Sequence, residues 1–302
     1  MGGISLSTEG TSRRYSGLDL WPNADAVMVM FEGQLAAAAA VKDQVGALAA
    51  AAEEAAERLG KSGGRLVYVG AGTSGRLAVL DGVELEPTFG WSRDRLIYAI
   101  AGGMDALKGS VENAEDDEKS ARELVRSAKL NGNDVVIGVS ASGTTPYTVA
   151  AVCEARTAGA LTIALSSNAG SSLLASAAHA IFLDTGDEAV SGSTRMKAGT
   201  AQKIALNLLS TSIMIRLGRV YDSLMVDMRV SNRKLRARAI AIVAEISGAD
   251  AGKAESALDL AKNNIKLATL LAMEMGRDEA AELLAKSGDN LRAAIAARRP
   301  GQ

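Results

Sequence analysis

The spacing of apolar positions changes twice along the chain, and the changes divide it into three stretches. Residues 25–59 are rich in Ala, Glu, Gln and Leu and hold no proline, a composition that favours long helix. Asn23 is placed to cap that helix from Ala24 onward. After Gly60-Lys61-Ser62-Gly63-Gly64, short apolar runs alternate with amphipathic stretches; the runs fall at 66–69, 96–101, 135–139, 161–165 and 180–183. Each is rich in Val, Ile and Leu and leads through Gly or Ser into a helical pattern, as strands of a parallel sheet buried on both faces do. Five such units between residues 60 and 220 predict one doubly wound α/β domain with a five-stranded parallel sheet. A long helix is expected after Ser193, with Met196, Ile204, Leu208 and Ile215 on one face. Beyond Asn232 the strand pattern stops. Residues 236–298 read as short helices, with Gly248, Gly276 and Gly288 placed to end helices in the left-handed conformation. The expected organisation is an N-terminal helical segment over 1–59, an α/β domain over 60–220 and a small helical domain over 236–298.

Composition narrows the chemistry. Among 302 residues, 33 Lys plus Arg stand against 35 Asp plus Glu, a net charge of −2 without a basic block, which argues against a nucleic-acid partner. Cys153 and His179 are the only residues of their kinds. That excludes zinc clusters built on several Cys and His, offers a single imidazole for any triad or Cys–His pair, and leaves acid/base work to carboxylates with no metal expected. A lone cysteine fits a reducing compartment. No run approaches the roughly 18 consecutive apolar residues of a membrane span. The start, Met1 to Leu6, lacks the parts of a secretory signal and misses the myristoylation pattern at Leu6. A cytoplasmic protein without a membrane partner is expected.

The candidate chemistry lies after the strands. Gly70-Ala71-Gly72-Thr73-Ser74-Gly75 fits G-x-G-x-x-G between a strand and a helix. A dinucleotide site also needs an acidic residue at the end of the second strand, where Ala101-Gly102-Gly103 stands instead. Hydroxyl-rich loops favour a phosphate monoester: Ser140, Ser142, Thr144 and Thr145 follow the third strand, and Ser191, Ser193 and Thr194 precede the long helix. Helix N-termini with flanking hydroxyls hold phosphate without a lysine. The expected phosphate-binding set is Gly72, Thr73, Ser74, Ser140, Ser142, Thr144, Thr145 and Ser193. Two groups of carboxylates accompany it. Glu84 has the apolar neighbours Val83, Leu85 and Phe89, a setting that suits a raised pKa. Glu112, Glu115, Asp116, Asp117 and Glu118, taken alone, read as a solvated helix face.

On these residues the sequence resembles the N-acetylmuramic acid 6-phosphate etherases of the sugar isomerase (SIS) domain group. The likeness rests on Tyr68 to Leu77, Pro87-Thr88-Phe89-Gly90, Ala101-Gly102-Gly103, Val111 to Asp117 and Ser191 to Lys203, and extends to Leu217 to Tyr221 and Leu224 to Met228. The resemblance implies the SIS fold with a small UBA-like helical domain, and a lyase that needs no cofactor. Its implied reaction cleaves the lactyl ether at C3 of the sugar, giving N-acetylglucosamine 6-phosphate and D-lactate. Its two acid/base glutamates fall on Glu84 and Glu115, in a homodimer with sites near the subunit interface. The chain departs from the family's usual pattern at Val83 in place of Ser, Glu86 in place of Pro and Thr144 in place of Arg. Rival readings are an aldose-ketose isomerase, for which His179 is the one available imidazole, and a non-catalytic sensor like the glucokinase regulatory proteins. Retention of both glutamates favours catalysis.

Overall fold

A computed structural model describes residues 10–298 other than Ser62 and Ser110; the readings made on Met1 to Leu6 lie outside them. The chain divides into two compact units, one of Met1–Gly82 and Asp94–Ile213, the other of Val83–Arg93 and Met214–Gln302.

In the first unit, helices α1 (Asn23–Lys42) and α2 (Val45–Leu59) precede strand β1 (Leu66–Gly70). There follow α3 (Gly72–Val83), the short α4 (Leu85–Phe89) of the second unit, β2 (Leu96–Ile100), α5 (Glu118–Ser127) and β3 (Val135–Val139). The unit closes with α6 (Pro146–Thr157), β4 (Leu161–Ser166), α7 (Ser172–Ser176), β5 (His179–Phe182) and most of α8 (Lys197–Arg216). The five strands pair in parallel in the order β2-β1-β3-β4-β5. Every residue of β1, β3 and β4 is buried, which is why these runs are apolar throughout and do not alternate. Val67, Val69 and Val136 turn to the layer of α5, α6 and α7. Tyr68 turns to the other face, where its hydroxyl meets Asp81 of α3.

Details of the first unit go beyond or against the sequence expectations. The first helical stretch is two helices, because the chain turns at Asp43 and Gln44, where the Gln44 N–H closes a tight turn on Val41 O at 2.9 Å. Asn23 is the first helical residue and not its cap; Pro22 holds the cap position. On α8 the expected face is the outer one: Leu208 and Ile215 are 45% and 50% exposed, while Ala198, Ala201, Ala205 and Leu209 are buried. The helix is apolar on more than one side, so periodicity alone does not select the small-residue side that packs closely. Finally, α1 meets the length and hydropathy measure of a membrane-crossing helix, at a mean hydropathy of 1.4, although no unbroken apolar run does. Its Val29, Gly33, Ala37 and Val41 side is nevertheless buried in the unit, with Thr200 donating to Gln34 at 2.5 Å. Val27, Met28, Phe31 and Leu35 are exposed.

The N-terminal helices do not form a segment of their own. α2 packs on β3, β4 and β5, and Arg58 donates to Gly132 O at 2.8 Å, which joins them to the sheet as one unit.

The second unit holds α4, a hairpin of β6 (Val220–Tyr221) and β7 (Leu224–Met225), and five helices: α9 (Arg233–Ser247), α10 (Ala251–Leu260), α11 (Ile265–Ala272), α12 (Arg277–Lys286) and α13 (Leu291–Ala297). Its core gathers Ile242, Val243, Leu258, Leu270 and Leu291. Asn232, Asp250, Asn264 and Asn290 each cap a helix by accepting an N–H three residues on. Gly248 and Gly288 take the expected left-handed conformation. Gly276 does not: it opens α12 at φ −63°, and Glu274 makes the left-handed turn at φ 69°. The segment Val83–Arg93, expected within the α/β domain, belongs to this unit.

Candidate functional site

The strand order reverses between β1 and β3, since α3 leads from β1 to one side and α6 leads from β3 to the other. An open α/β sheet leaves a crevice at that point, beyond the C-terminal ends of its strands. Here it is a cavity of about 460 Å³. Gly72, Thr73 and Ser74 enter it from the start of α3, and Ser140, Ser142, Thr144 and Thr145 from the loop after β3. Glu115 and Asp116 approach from the segment after β2. Three loops distant in sequence therefore meet at one edge, and they bring together seven of the eight expected binding residues and one of the two expected carboxylates.

The loop after β3 is held by its own hydroxyls. Ser140 Oγ lies 2.8 Å from Thr145 Oγ1 and 3.2 Å from Ser142 Oγ, and accepts the Gly143 N–H at 3.0 Å. Gly143 has φ +68°, and a Cβ there would come within 2.2 Å of Ser171 Oγ, so only glycine fits. Pro146 starts α6 at its first turn, where a missing N–H costs nothing. Ser74 Oγ donates to Gln202 Oε1 of α8 at 2.9 Å, so this hydroxyl is engaged within the protein.

Ser193 is not among the residues lining the cavity; its neighbours Gly192 and Thr194 are. The expectation of an anion site at the start of α8 is also revised. The buried Glu188 carboxylate already accepts the Lys197 N–H at 3.0 Å and the Ala198 N–H at 2.9 Å. Glu188 stands nine residues before Lys197, beyond the local spacing that marks a cap. Lys197 is itself buried, and desolvation pushes its ammonium below the ordinary lysine value.

The acidic run after β2 divides its labour. Asp117 caps α5 by accepting the Ser120 N–H at 2.9 Å, a bond that holds its carboxyl below the usual range. Glu118 pairs with Arg122. Glu115 sits in a tight turn after Asn113, whose φ is 58°, and lines both the main cavity and an adjoining one of about 340 Å³. A uniform solvated face therefore describes only part of the run. Arg76 also lines the smaller cavity, but its guanidinium is tied to Ala106 O at 2.9 Å and Gly109 O at 3.1 Å.

Glu84 belongs to the second unit, immediately before α4. Leu85 and Phe89 are buried, whereas Val83 and Glu84 are exposed, so the apolar neighbours do not enclose this carboxyl in the single chain. Thr144, where the family pattern has Arg, is exposed at the cavity.

His179 has a partner: its Nε2 lies 2.9 Å from Glu54 Oε2. It stands at the N-terminal end of β5, the opposite end of the strands from the cavity. Among the described residues no group of three or more His, Cys, Asp or Glu could hold a metal ion.

Comparison with known proteins matches residues 47–155 to the glucokinase regulatory protein N-terminal SIS domain and residues 119–212 to the SIS domain. An N-acetylmuramic acid 6-phosphate etherase of Deinococcus radiodurans is 46% identical over 94% of this chain and 93% of its own. One from Streptomyces coelicolor is 47% identical over 97% of this chain and 94% of its own. A crystal structure from Bacteroides fragilis, assigned to a phosphosugar isomerase involved in capsule formation, superposes with a TM-score of 0.50 at 18% identity, covering 67% of this chain and 95% of that one. That likeness concerns the fold.

Proposed function

The chain belongs to the N-acetylmuramic acid 6-phosphate etherase family, and on that premise we propose that it is a carbon-oxygen lyase that cleaves the lactyl ether of N-acetylmuramic acid 6-phosphate. The products are N-acetylglucosamine 6-phosphate and D-lactate. In the open-chain sugar the C2 proton is α to an aldehyde, so a carboxylate can remove it. A carboxylic acid then protonates the departing C3 ether oxygen, and water adds at C3. Neither redox chemistry nor a metal is required, and two carboxyls each contribute about 10²–10⁴-fold in rate. Glu115 and Glu84 fill these roles.

The observation that carries the reading is that Glu115 and the hydroxyls of Ser140, Ser142 and Thr145 line one cavity at the switch point of the sheet. That places a carboxylate within one cleft of a cradle suited to a phosphate ester. An isomerase working through an imidazole is disfavoured by His179, which is bonded to Glu54 at the other end of the strands.

A homodimer fits the same reading. Val27, Met28, Phe31 and Leu35 lie along one exposed side of α1, each more than half exposed, and a second copy would cover them. The lone cysteine suits a cytoplasmic setting. The test is incubation of the pure protein with N-acetylmuramic acid 6-phosphate and no added cofactor, followed by an assay for lactate. Lactate release at a rate proportional to enzyme supports the activity; its absence overturns it.

A further inference from the structure

The segment that bears Glu84 is fastened within the C-terminal helical unit by contacts at successive residues. Pro87 O accepts the Arg229 N–H at 3.1 Å. Phe89 O accepts from Arg219 Nη1 at 3.3 Å, and the same guanidinium lies 5.8 Å from the ring centroid of Trp91, which is 1% exposed. Gly90 has φ +61°, and a Cβ on it would fall 2.5 Å from Asp227 O, so the chain presses directly on that carbonyl. Glu86, where the family pattern has Pro, binds both Arg93 and Arg229, which hold its carboxyl below the usual range.

Behind this contact stands a buried charge. Lys266 of α11 is 1% exposed, with Nζ 2.5 Å from Asp227 Oδ2. It also donates to Asp289, at 2.6 Å to the carbonyl and 2.9 Å to the carboxylate. Arg219 Nη1 lies 3.6 Å from the same Asp227 oxygen. An ammonium taken out of water is expensive unless it is fully paired, and an apolar side chain of similar length would fill the same volume at lower cost. What the charge adds is a fixed direction: it sets Asp227, and Asp227 with Arg219 sets the segment.

We propose that Lys266 is a positioning residue for Glu84, acting through Asp227 and Arg219 on Val83–Arg93, so that the C-terminal helical unit serves the reaction as the holder of its acid/base group. The proposal rests on the reading of Glu84 as acid/base and goes beyond it by giving the helical unit a task. A carboxyl displaced by about 1 Å from its working place loses up to 10²-fold in rate, while remote binding groups are untouched.

The experiment compares Lys266→Met, Lys266→Arg and Glu84→Gln in the full-length protein, by kcat and KM on N-acetylmuramic acid 6-phosphate and by thermal melting. Lys266→Met is expected to lower kcat about tenfold or more with KM changed less than about threefold, and Lys266→Arg to restore part of that loss. If Lys266→Met melts before it can be assayed, Arg219→Lys decides, since Arg219 is the link between Asp227 and the segment; it is expected to lower kcat without raising KM. Folded variants with unchanged kcat beside an inactive Glu84→Gln overturn the proposal, as does a loss that falls on KM. A fully active Glu84→Gln instead overturns the reading on which it rests.

Discussion

Tyr68 and Asp81 share a buried hydrogen bond: the tyrosine hydroxyl donates to Asp81 Oδ2 at 2.6 Å, three residues before Glu84. The other carboxylate oxygen accepts from Asn207 at 2.7 Å and Ser210 at 3.1 Å, so three donors surround a side chain that is 4% exposed. Burial, then the charge of Asp81, pushes the Tyr68 hydroxyl well above its ordinary value, which keeps the proton on the tyrosine. This bond ties β1 to α3, and the Asn207 and Ser210 bonds tie α3 to α8. Tyr68→Phe should cost about 1.5–3 kcal/mol of stability, the range for a hydrogen bond to a charged group. Asp81→Ala should cost more, because it strands three donors, of which Tyr68 and Ser210 are buried. Urea unfolding measures both, and a Tyr68→Phe protein as stable as the parent would show the bond to be energetically idle.

Ser142 and Ser74 both line the cavity but hold their hydroxyls differently. Ser142 Oγ accepts the Thr144 N–H at 3.2 Å in the loop itself, while Ser74 Oγ is spent on Gln202. Ser142→Ala is expected to raise KM about tenfold through weaker phosphate binding, the size of one lost hydrogen bond to an anion. Ser74→Ala is expected to change it less. Competition by inorganic phosphate and by unphosphorylated N-acetylglucosamine separates the two cases: an equal loss toward the unphosphorylated sugar contradicts a phosphate role for Ser142.

The sheet and the cavity are legible in the sequence to different depths. Strands buried on both faces write themselves as apolar runs, so β1, β3 and β4 are read almost to the residue, and the loops that follow them carry their hydroxyls in plain view. The parallel pairing then brings Ser74, Ser142 and Glu115 to one edge without further information. Hidden are the features that depend on partners far away in the chain. Glu188 at the start of α8 and Gln202 on Ser74 leave no local spacing, and α8, apolar on several sides, does not declare its inner one. The short Val83–Arg93 segment reads as the end of a helix in the α/β domain, although its contacts with Arg219, Asp227 and Arg229 lie more than 120 residues on.

The Glu54–His179 pair gives a pH dependence with a definite sign. The hydrogen bond from His179, with a further contribution from Arg58, holds the Glu54 carboxyl below its ordinary value. A carboxyl whose folded pKa is lowered adds stability above the unfolded value, about 4.3, and that stability fades as the pH falls from there through the lowered value. Because Glu54 is 38% exposed, solvent screening limits the effect to about 1 kcal/mol or less. Glu54→Gln should therefore be slightly less stable than the parent at pH 7, with the gap closing below about pH 4. Thermal melts across that range check it; a gap that widens toward acid would reverse the assignment.

The most direct test of the account compares Glu84→Gln and Glu115→Gln for turnover of N-acetylmuramic acid 6-phosphate and for binding of N-acetylglucosamine 6-phosphate. Each substitution is predicted to lower kcat by about 10²-fold or more, while product affinity stays within about threefold of the parent. Full turnover in either variant, or a loss that resides wholly in binding, would contradict the assignment of these two carboxyls to elimination and hydration.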